Sequence, residues 1–71
     1  MHDPTVTLNG ERVPLPAHPT LVTLLAGLPG GLPTAGVAVA VDGAVVPRGD
    51  WDRRPLRGGE AIEVVTAVQG G

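Results

Sequence analysis

The sequence predicts an α+β domain in which a mixed sheet of four to five strands carries one short helix on one face. Val, Leu and Ala supply nearly all of the 42% hydrophobic fraction, and β-branched residues favour strands. Two pairs, Asn9-Gly10 and Asp42-Gly43, are typical of tight hairpin turns because both residue types tolerate a positive φ. Between these hairpins lies one stripe of leucines at helical spacing.

The first hairpin joins two short strands. Thr5 to Leu8 alternates polar and apolar residues, Asn9-Gly10 turns the chain, and Glu11 to Leu15 returns. Proline has no N–H to donate to a neighbouring strand. Pro14 therefore indicates that the second strand lies at an edge of the sheet or ends early.

The helix is expected to follow Thr20, a residue type that caps helix N-termini well. The apolar stripe consists of Leu21, Leu24, Leu25 and Leu28. Gly27 and the Pro/Gly-rich residues after Leu28 end the helix. Because so short a helix is unstable alone, its leucines are expected to pack on the sheet as core residues.

Three further strands are expected in the second half of the chain. Val37 to Val41 and Ala44 to Val46 flank the turn at Asp42-Gly43, and Ala61 to Val68 forms the last strand. Residues 49–59 are charged and are predicted to be irregular.

The order of these elements is that of the β-grasp, or ubiquitin-like, arrangement. In it the first and last strands lie side by side at the centre of the sheet. Ile62 and Val64 would face the core, and Val65 would face outward. We expect one domain over residues 1–68 and a short flexible tail, residues 69–71, presented at a fixed place by a central strand.

Composition excludes several classes of function. The formal net charge is −2, and the one basic group, Arg53, Arg54 and Arg57, is more typical of a solvated face or a protein docking surface than of a nucleic-acid site. No apolar run approaches the ~20 residues of a membrane span, and the first residues lack the charged-then-apolar pattern that would predict a signal peptide. A cytoplasmic protein with neither nucleic acid nor membrane as partner is expected.

The chain offers no set of residues for catalysis of its own. Ser, Cys and Lys are all absent, which removes serine and thiol nucleophiles and any lysine that could accept an isopeptide bond. His2 and His18 are too few and too isolated for a metal site, which needs several ligands. We expect a protein that partner enzymes act on, with no metal or cofactor bound.

Gly70-Gly71 follows the last predicted strand, with Gln69 between them. Two residues without side chains can pass through a site that a Cβ would block. The carboxylate of Gly71 is therefore the first candidate for a reactive group, although it needs activation, for example by adenylation.

Three segments resemble the ThiS-type sulfur carriers of thiamin biosynthesis. Val39 to Arg48 followed by Asp50-Trp51 looks like the strand-turn-strand signature of that family. Gly58 to Val65 with Val68-Gln69-Gly70-Gly71 is similar to its last strand and tail, and Thr20 to Leu25 to the start of its helix.

The resemblance implies a chemistry for the tail. A ThiF-type, E1-like adenylyltransferase would use MgATP to adenylate Gly71, and a persulfide donor would replace AMP with sulfur. Thiazole synthase of the ThiG type would then accept sulfur from the resulting thiocarboxylate. Gly70 would allow the tail to thread into each enzyme, and Gln69 is a candidate contact with the partners.

Four other residues are candidates for partner binding. Val65 and Val68 on the outer face would form a small apolar docking patch. Trp51 has two interpretations, a structural plug over the small core or a docking residue. Arg48 would either bind a partner or cap a loop.

Alternative functions remain open from the sequence. The same tail chemistry would serve a carrier for molybdopterin or another sulfur-containing metabolite. A ubiquitin-like modifier would instead join Gly71 to a lysine of a target protein. A binding module with an inert tail would keep its function when Gly70-Gly71 is removed.

Overall fold

The computed structural model describes residues 4–32 and 36–66. The elements in chain order are β1 (Thr5–Leu8), β2 (Glu11–Pro14), α1 (Leu21–Ala26), β3 (Val37–Val41), β4 (Ala44–Val46), a 3₁₀-helix (Arg48–Arg53) and β5 (Ala61–Thr66). The five strands form one sheet of order β2-β1-β5-β3-β4. β1 and β5 run parallel and the other neighbours antiparallel. The predicted α+β, β-grasp arrangement, with first and last strands adjacent, is confirmed.

Both predicted hairpin turns are present. Asn9 and Asp42 have φ of 51° and 50°, and the glycine that follows each also has positive φ. β2 is an edge strand and ends at Pro14, one residue before the predicted end. The missing N–H of Pro14 explains why this strand is both short and peripheral.

The helix begins after Thr20, as predicted. The Thr20 hydroxyl accepts a hydrogen bond from the Thr23 backbone N–H, and the Thr23 hydroxyl accepts one from the Thr20 N–H. This reciprocal pair satisfies two donors that the first turn leaves open. Gly27 forms the C-cap, so Leu28 of the predicted stripe lies beyond the helix, although it still packs against the core.

The core lies between one face of the sheet and the helix. Its buried members are Val6, Leu21, Leu24, Leu25, Val39, Val41, Trp51, Leu56 and Ile62. The predicted alternation of β5 is confirmed, since Ile62 is buried, Val64 packs against the core and Val65 is exposed.

The prediction that residues 49–59 are irregular is wrong for the first part of this segment. Arg48–Arg53 forms a 3₁₀-helix after Pro47, and the Asp50 N–H donates to the Pro47 carbonyl at 2.8 Å. The cause is tertiary, because Trp51 on this helix is buried in the core. The sequence offered Trp51 as a plug over the core, but the charged residues around it gave no helical pattern.

The described part of β5 ends at Thr66, whereas the predicted strand extended to Val68. Val68 lies outside the described residues, and so does the tail assigned to residues 69–71. None of the helices in the described part of the chain is long and apolar enough to cross a membrane.

Candidate functional site: the end of the central strand and the outer sheet face

The first component of the site is β5, the strand that leads toward the C-terminal residues. It is the middle strand of the sheet, between β1 and β3. Its register with β3 runs from Val41↔Ile62 to Val37↔Thr66, whereas its register with β1 ends at Leu8↔Ile62. The last four residues of β5 therefore have a strand neighbour on one side only.

The predicted reactive segment follows this strand. Val68, Gln69, Gly70 and Gly71 all lie outside the described residues. Their assigned roles stay predictions, and the described part of the chain supplies their point of departure at Thr66.

The second component is the face of the sheet opposite the helix. Val65 on β5 is 59% exposed, as predicted, and pairs with Ala38 on β3. Val45 on β4 is 70% exposed and pairs with Ala40. We call these four residues, Ala38, Ala40, Val45 and Val65, the outer patch. The patch is apolar, and it is shallow because the two residues on the middle strand, β3, are alanines.

Sequence reasoning missed Val45 as a member of this patch. A signal was available, because the two-residue turn at Asp42-Gly43 fixes the register of β3 and β4. That register places Val45 opposite Ala40, on the face away from the buried Val39 and Val41. Glu63 on β5 pairs with Ala40 of β3, so one carboxylate lies beside the patch.

Trp51 is 2% exposed, and its indole Nε1–H donates to the Val46 carbonyl at 2.9 Å. Its polar atom thus has a partner within the fold, as a buried indole requires. This environment agrees with the interpretation of Trp51 as a structural plug and leaves little of its ring for a docking partner.

Arg48 covers the same ring. Its guanidinium carbon lies 4.7 Å from the centroid of the Trp51 ring, within the range of a cation–π contact. Arg48 itself is exposed. The side chain thus closes the surface over Trp51, and its predicted contact with a partner stays a prediction.

The arginine-rich segment is balanced by carboxylates. Arg53 lies 3.7 Å from Asp50 and 3.9 Å from Asp52, all at the surface. Arg54 donates to Glu60 at 2.8 Å, and the Arg57 N–H donates to the other oxygen of that carboxylate at 2.7 Å. Arg53 and Arg54 are thus paired with carboxylates, whereas Arg57 contributes a backbone N–H.

Glu60 directly precedes β5 and has a lowered pKa. Partial burial favours the protonated form, but the hydrogen bonds from Arg54 and Arg57 and the positive charges of both residues outweigh it. The carboxylate is therefore held in its charged form at the start of the central strand.

Replacing Glu60 with glutamine is expected to lower the free energy of unfolding by about 1 kcal/mol at neutral pH. The pKa of Glu60 is lower in the folded than in the unfolded chain. The charged carboxylate therefore stabilises the fold in full when the pH is above 4.5, the ordinary pKa of a glutamate. This stabilisation is lost as the pH falls through the folded pKa. Urea unfolding of both proteins at several pH values measures this, and a difference that stays constant into the acid range would contradict it.

Residues 4–32 and 36–66 contain no group of three or more His, Cys, Asp or Glu side chains that could hold a metal ion. His18 is exposed in the segment before the helix. The features that stand out in the described residues are therefore the outer patch and the end of β5.

These features define a class of protein: a small β-grasp domain with an apolar outer face and a central strand that leads to a C-terminal Gly-Gly. The family model described as the ThiS family matches residues 6–71. The chain belongs to the ThiS family, the sulfur carriers of thiamin biosynthesis, as its sequence motifs indicated.

A solved structure supports this membership. The crystal structure of the thiamine biosynthesis protein ThiS from Geobacter metallireducens superimposes with a TM-score of 0.76 at 25% sequence identity. The alignment covers 94% of this chain and 99% of that chain. No curated protein sequence matches the chain significantly.

Proposed function

We propose that this chain carries sulfur as a thiocarboxylate on Gly71 and delivers it for formation of the thiazole ring of thiamin. The observation that carries the proposal is the ThiS family match, which extends through Gly70 and Gly71. The fold supports it, because β5, the strand before these residues, is central and therefore rigidly held.

The chemistry begins at an unreactive carboxylate. A ThiF-type, E1-like adenylyltransferase would transfer AMP from MgATP to Gly71 and release pyrophosphate. A persulfide on a donor protein would attack the acyl carbon and expel AMP, which forms an acyl disulfide. A second thiol would reduce that disulfide, leaving the thiocarboxylate and a new disulfide on the donor side.

The acceptor would be a thiazole synthase of the ThiG type. Sulfur is more polarisable than oxygen, so the thiocarboxylate would attack as a soft nucleophile. The chain itself acts as a protein co-substrate, and ATP and Mg²⁺ belong to the adenylyltransferase. Gly70 and Gly71 suit this role because neither carries a Cβ that would obstruct a narrow channel.

The experiment that tests the proposal is the intact mass of the purified protein after incubation with MgATP, sulfide and a ThiS-specific adenylyltransferase. Sulfide expels AMP directly and needs no reductant. We expect a gain equal to the exchange of one oxygen for one sulfur, located at Gly71 by fragmentation and absent without ATP. An unchanged mass, with the enzyme active on another ThiS protein, would contradict the proposal.

We further propose that the outer patch docks the adenylyltransferase. Val65 lies on β5 within a few residues of the reactive end, and its cross-strand neighbour Ala38 on β3 is small. Val45 on β4, also exposed, lies on the same face of the sheet beyond β3. A partner that covers this patch would hold the domain while the tail enters its active site.

Replacing Val65 with aspartate is expected to weaken binding to the adenylyltransferase about tenfold, because a charge would be buried against an apolar surface. Val45→Asp should act in the same direction. Leu32→Asp is the matched control, since Leu32 is also an exposed apolar residue but lies outside the sheet. Titration calorimetry measures all three; unchanged affinity for Val65→Asp would exclude this patch.

A further inference from the structure

The parallel pairing of β1 and β5 stops where the chain turns into the first hairpin. The Thr7 N–H donates to the Glu60 carbonyl at 3.0 Å, and the Asn9 N–H donates to the Ile62 carbonyl at 2.8 Å. In a parallel ladder the next bonds would involve both backbone groups of Val64. They cannot come from a continued β1, because Asn9 adopts a φ of 51° and the chain turns away from β5 into β2.

The side chain of Asn9 takes the place of this missing rung. Its Oδ1 accepts a hydrogen bond from the Val64 N–H at 2.8 Å, and its Nδ2 donates to the Val64 carbonyl at 3.3 Å. One amide side chain thus supplies the acceptor and the donor that two backbone groups of a longer β1 would have supplied. We call this pair of hydrogen bonds the Asn9 rung.

The rung lies where β5 has lost its neighbour on one side. The backbone groups of successive strand residues point to opposite sides, so those of Glu60, Ile62 and Val64 face β1. Those of Glu63 and Val65 face β3 instead. Past Ile62, the Asn9 rung is what holds β5 from the β1 side before the described strand ends at Thr66.

We propose that Asn9 is a positioning residue for the C-terminal segment: its amide fixes the end of β5, and with it the point from which Gly70 and Gly71 are presented to the partner enzymes. This inference rests on the proposed function. Without the rung, the end of β5 would be held by β3 alone. It would move more in the free protein, and part of the binding free energy would be spent on fixing it.

The requirement for asparagine goes beyond the turn. Asn, Asp and Gly all suit the first central position of this turn, and the second hairpin has aspartate there. Only an amide both accepts from the Val64 N–H and donates to its carbonyl. Aspartate lacks the donor and glycine lacks both groups.

The test compares Asn9→Gly with Asp42→Gly. Asp42 is a matched control, because it also begins a two-residue turn with positive φ and its Oδ1 accepts from the Ala61 N–H at 2.8 Å. That bond holds the start of β5, whereas the Asn9 rung holds its end. In both variants glycine tolerates the positive φ of the turn, and both variants lose side-chain hydrogen bonds to β5.

The first readout is amide hydrogen exchange by NMR, which needs no partner. Asn9→Gly should accelerate exchange at Val64 and leave Ile62 protected, whereas Asp42→Gly should accelerate exchange at Ala61. The second readout is binding to the adenylyltransferase without ATP. Asn9→Gly should raise the dissociation constant about fivefold, the equivalent of roughly 1 kcal/mol. Asp42→Gly should change the dissociation constant less than twofold. With MgATP added, the kcat of the adenylyltransferase for either variant should equal its kcat for the unaltered chain.

Two results would overturn the proposal: exchange at Val64 that is unaffected by Asn9→Gly, or an affinity loss that Asp42→Gly reproduces. Asn9→Asp, which keeps the acceptor for the Val64 N–H, serves as a second variant if Asn9→Gly folds poorly and should lose less affinity. The mass measurement on the unaltered chain reports separately on the proposed function. Failure of the carrier chemistry and failure of the Asn9 rung are thereby distinguished.

Discussion

Replacing Trp51 with alanine is expected to lower the free energy of unfolding by about 3–5 kcal/mol. Trp51 is 2% exposed and is the largest of the fully buried side chains, so its removal leaves a cavity that the small core cannot fill. The loss also frees the Val46 carbonyl from its hydrogen bond with the indole. A domain of this size has only about 3–5 kcal/mol to lose, so the variant should be largely unfolded.

Far-UV circular dichroism of the variant without denaturant, set beside the urea unfolding curve of the unaltered chain, measures this effect. Fluorescence cannot be used for the variant, because Trp51 is the sole aromatic residue of the chain. Trp51→Phe is the matched control, since it retains an aromatic ring and loses the N–H donor, and should cost about 1–2 kcal/mol. A Trp51→Ala protein as stable as the unaltered chain would contradict a structural role.

A variant at Arg48 tests how much the guanidinium above the Trp51 ring adds to stability, apart from the burial of the ring itself. Its guanidinium contacts the Trp51 ring from the exposed side, so Arg48→Ala should cost no more than about 1 kcal/mol. If Arg48→Ala or Trp51→Phe weakened binding to the adenylyltransferase while the fold stayed intact, the docking interpretation of that residue would gain support.

The parts of the fold that follow local rules could be predicted from sequence. Asn9-Gly10 and Asp42-Gly43 identified both turns because few residue types take positive φ. Thr20 located the start of the helix because its hydroxyl satisfies an open N–H there. Alternation in β5 separated the buried Ile62 from the exposed Val65.

The order of the elements predicted that β1 and β5 are adjacent, but individual side-chain contacts between distant parts of the chain could not be predicted. The 3₁₀-helix forms where Trp51 enters the core, and Leu56 is held by a hydrogen bond to the Pro19 carbonyl across the start of the helix. Asn9 was recognised as a turn residue, but its bonds to Val64 join residues 55 positions apart. No local pattern encodes that pairing.

These contacts give the two ends of β5 different supports. At its start, Glu60 is held by Arg54 and Arg57, and the Ala61 N–H by Asp42. Toward its end the strand relies on β3 and on the Asn9 rung. Polar side chains thus fix the strand at the points where the neighbouring strands stop.

Deleting Gly70 and Gly71 is expected to abolish the gain of sulfur and leave the fold unchanged. The buried core extends from Val6 to Ile62, so the deletion removes no core side chain. It does remove the carboxylate that we propose is adenylated, and the truncated chain would end at the bulkier Gln69. The outer patch stays in place, so we expect the adenylyltransferase still to bind the truncated chain, more weakly.

Intact mass after incubation with MgATP, sulfide and the adenylyltransferase measures the loss, and thermal unfolding checks the fold. Gly70→Ala and Gly70→Val provide a graded control, because they keep the carboxylate of Gly71 and add side chains of increasing size where the tail would thread. Sulfur incorporation should fall from the unaltered chain to alanine and again to valine. Sulfur gained at Gln69 of the truncated chain would show that a terminal carboxylate suffices, and that the two glycines are not what the enzyme selects.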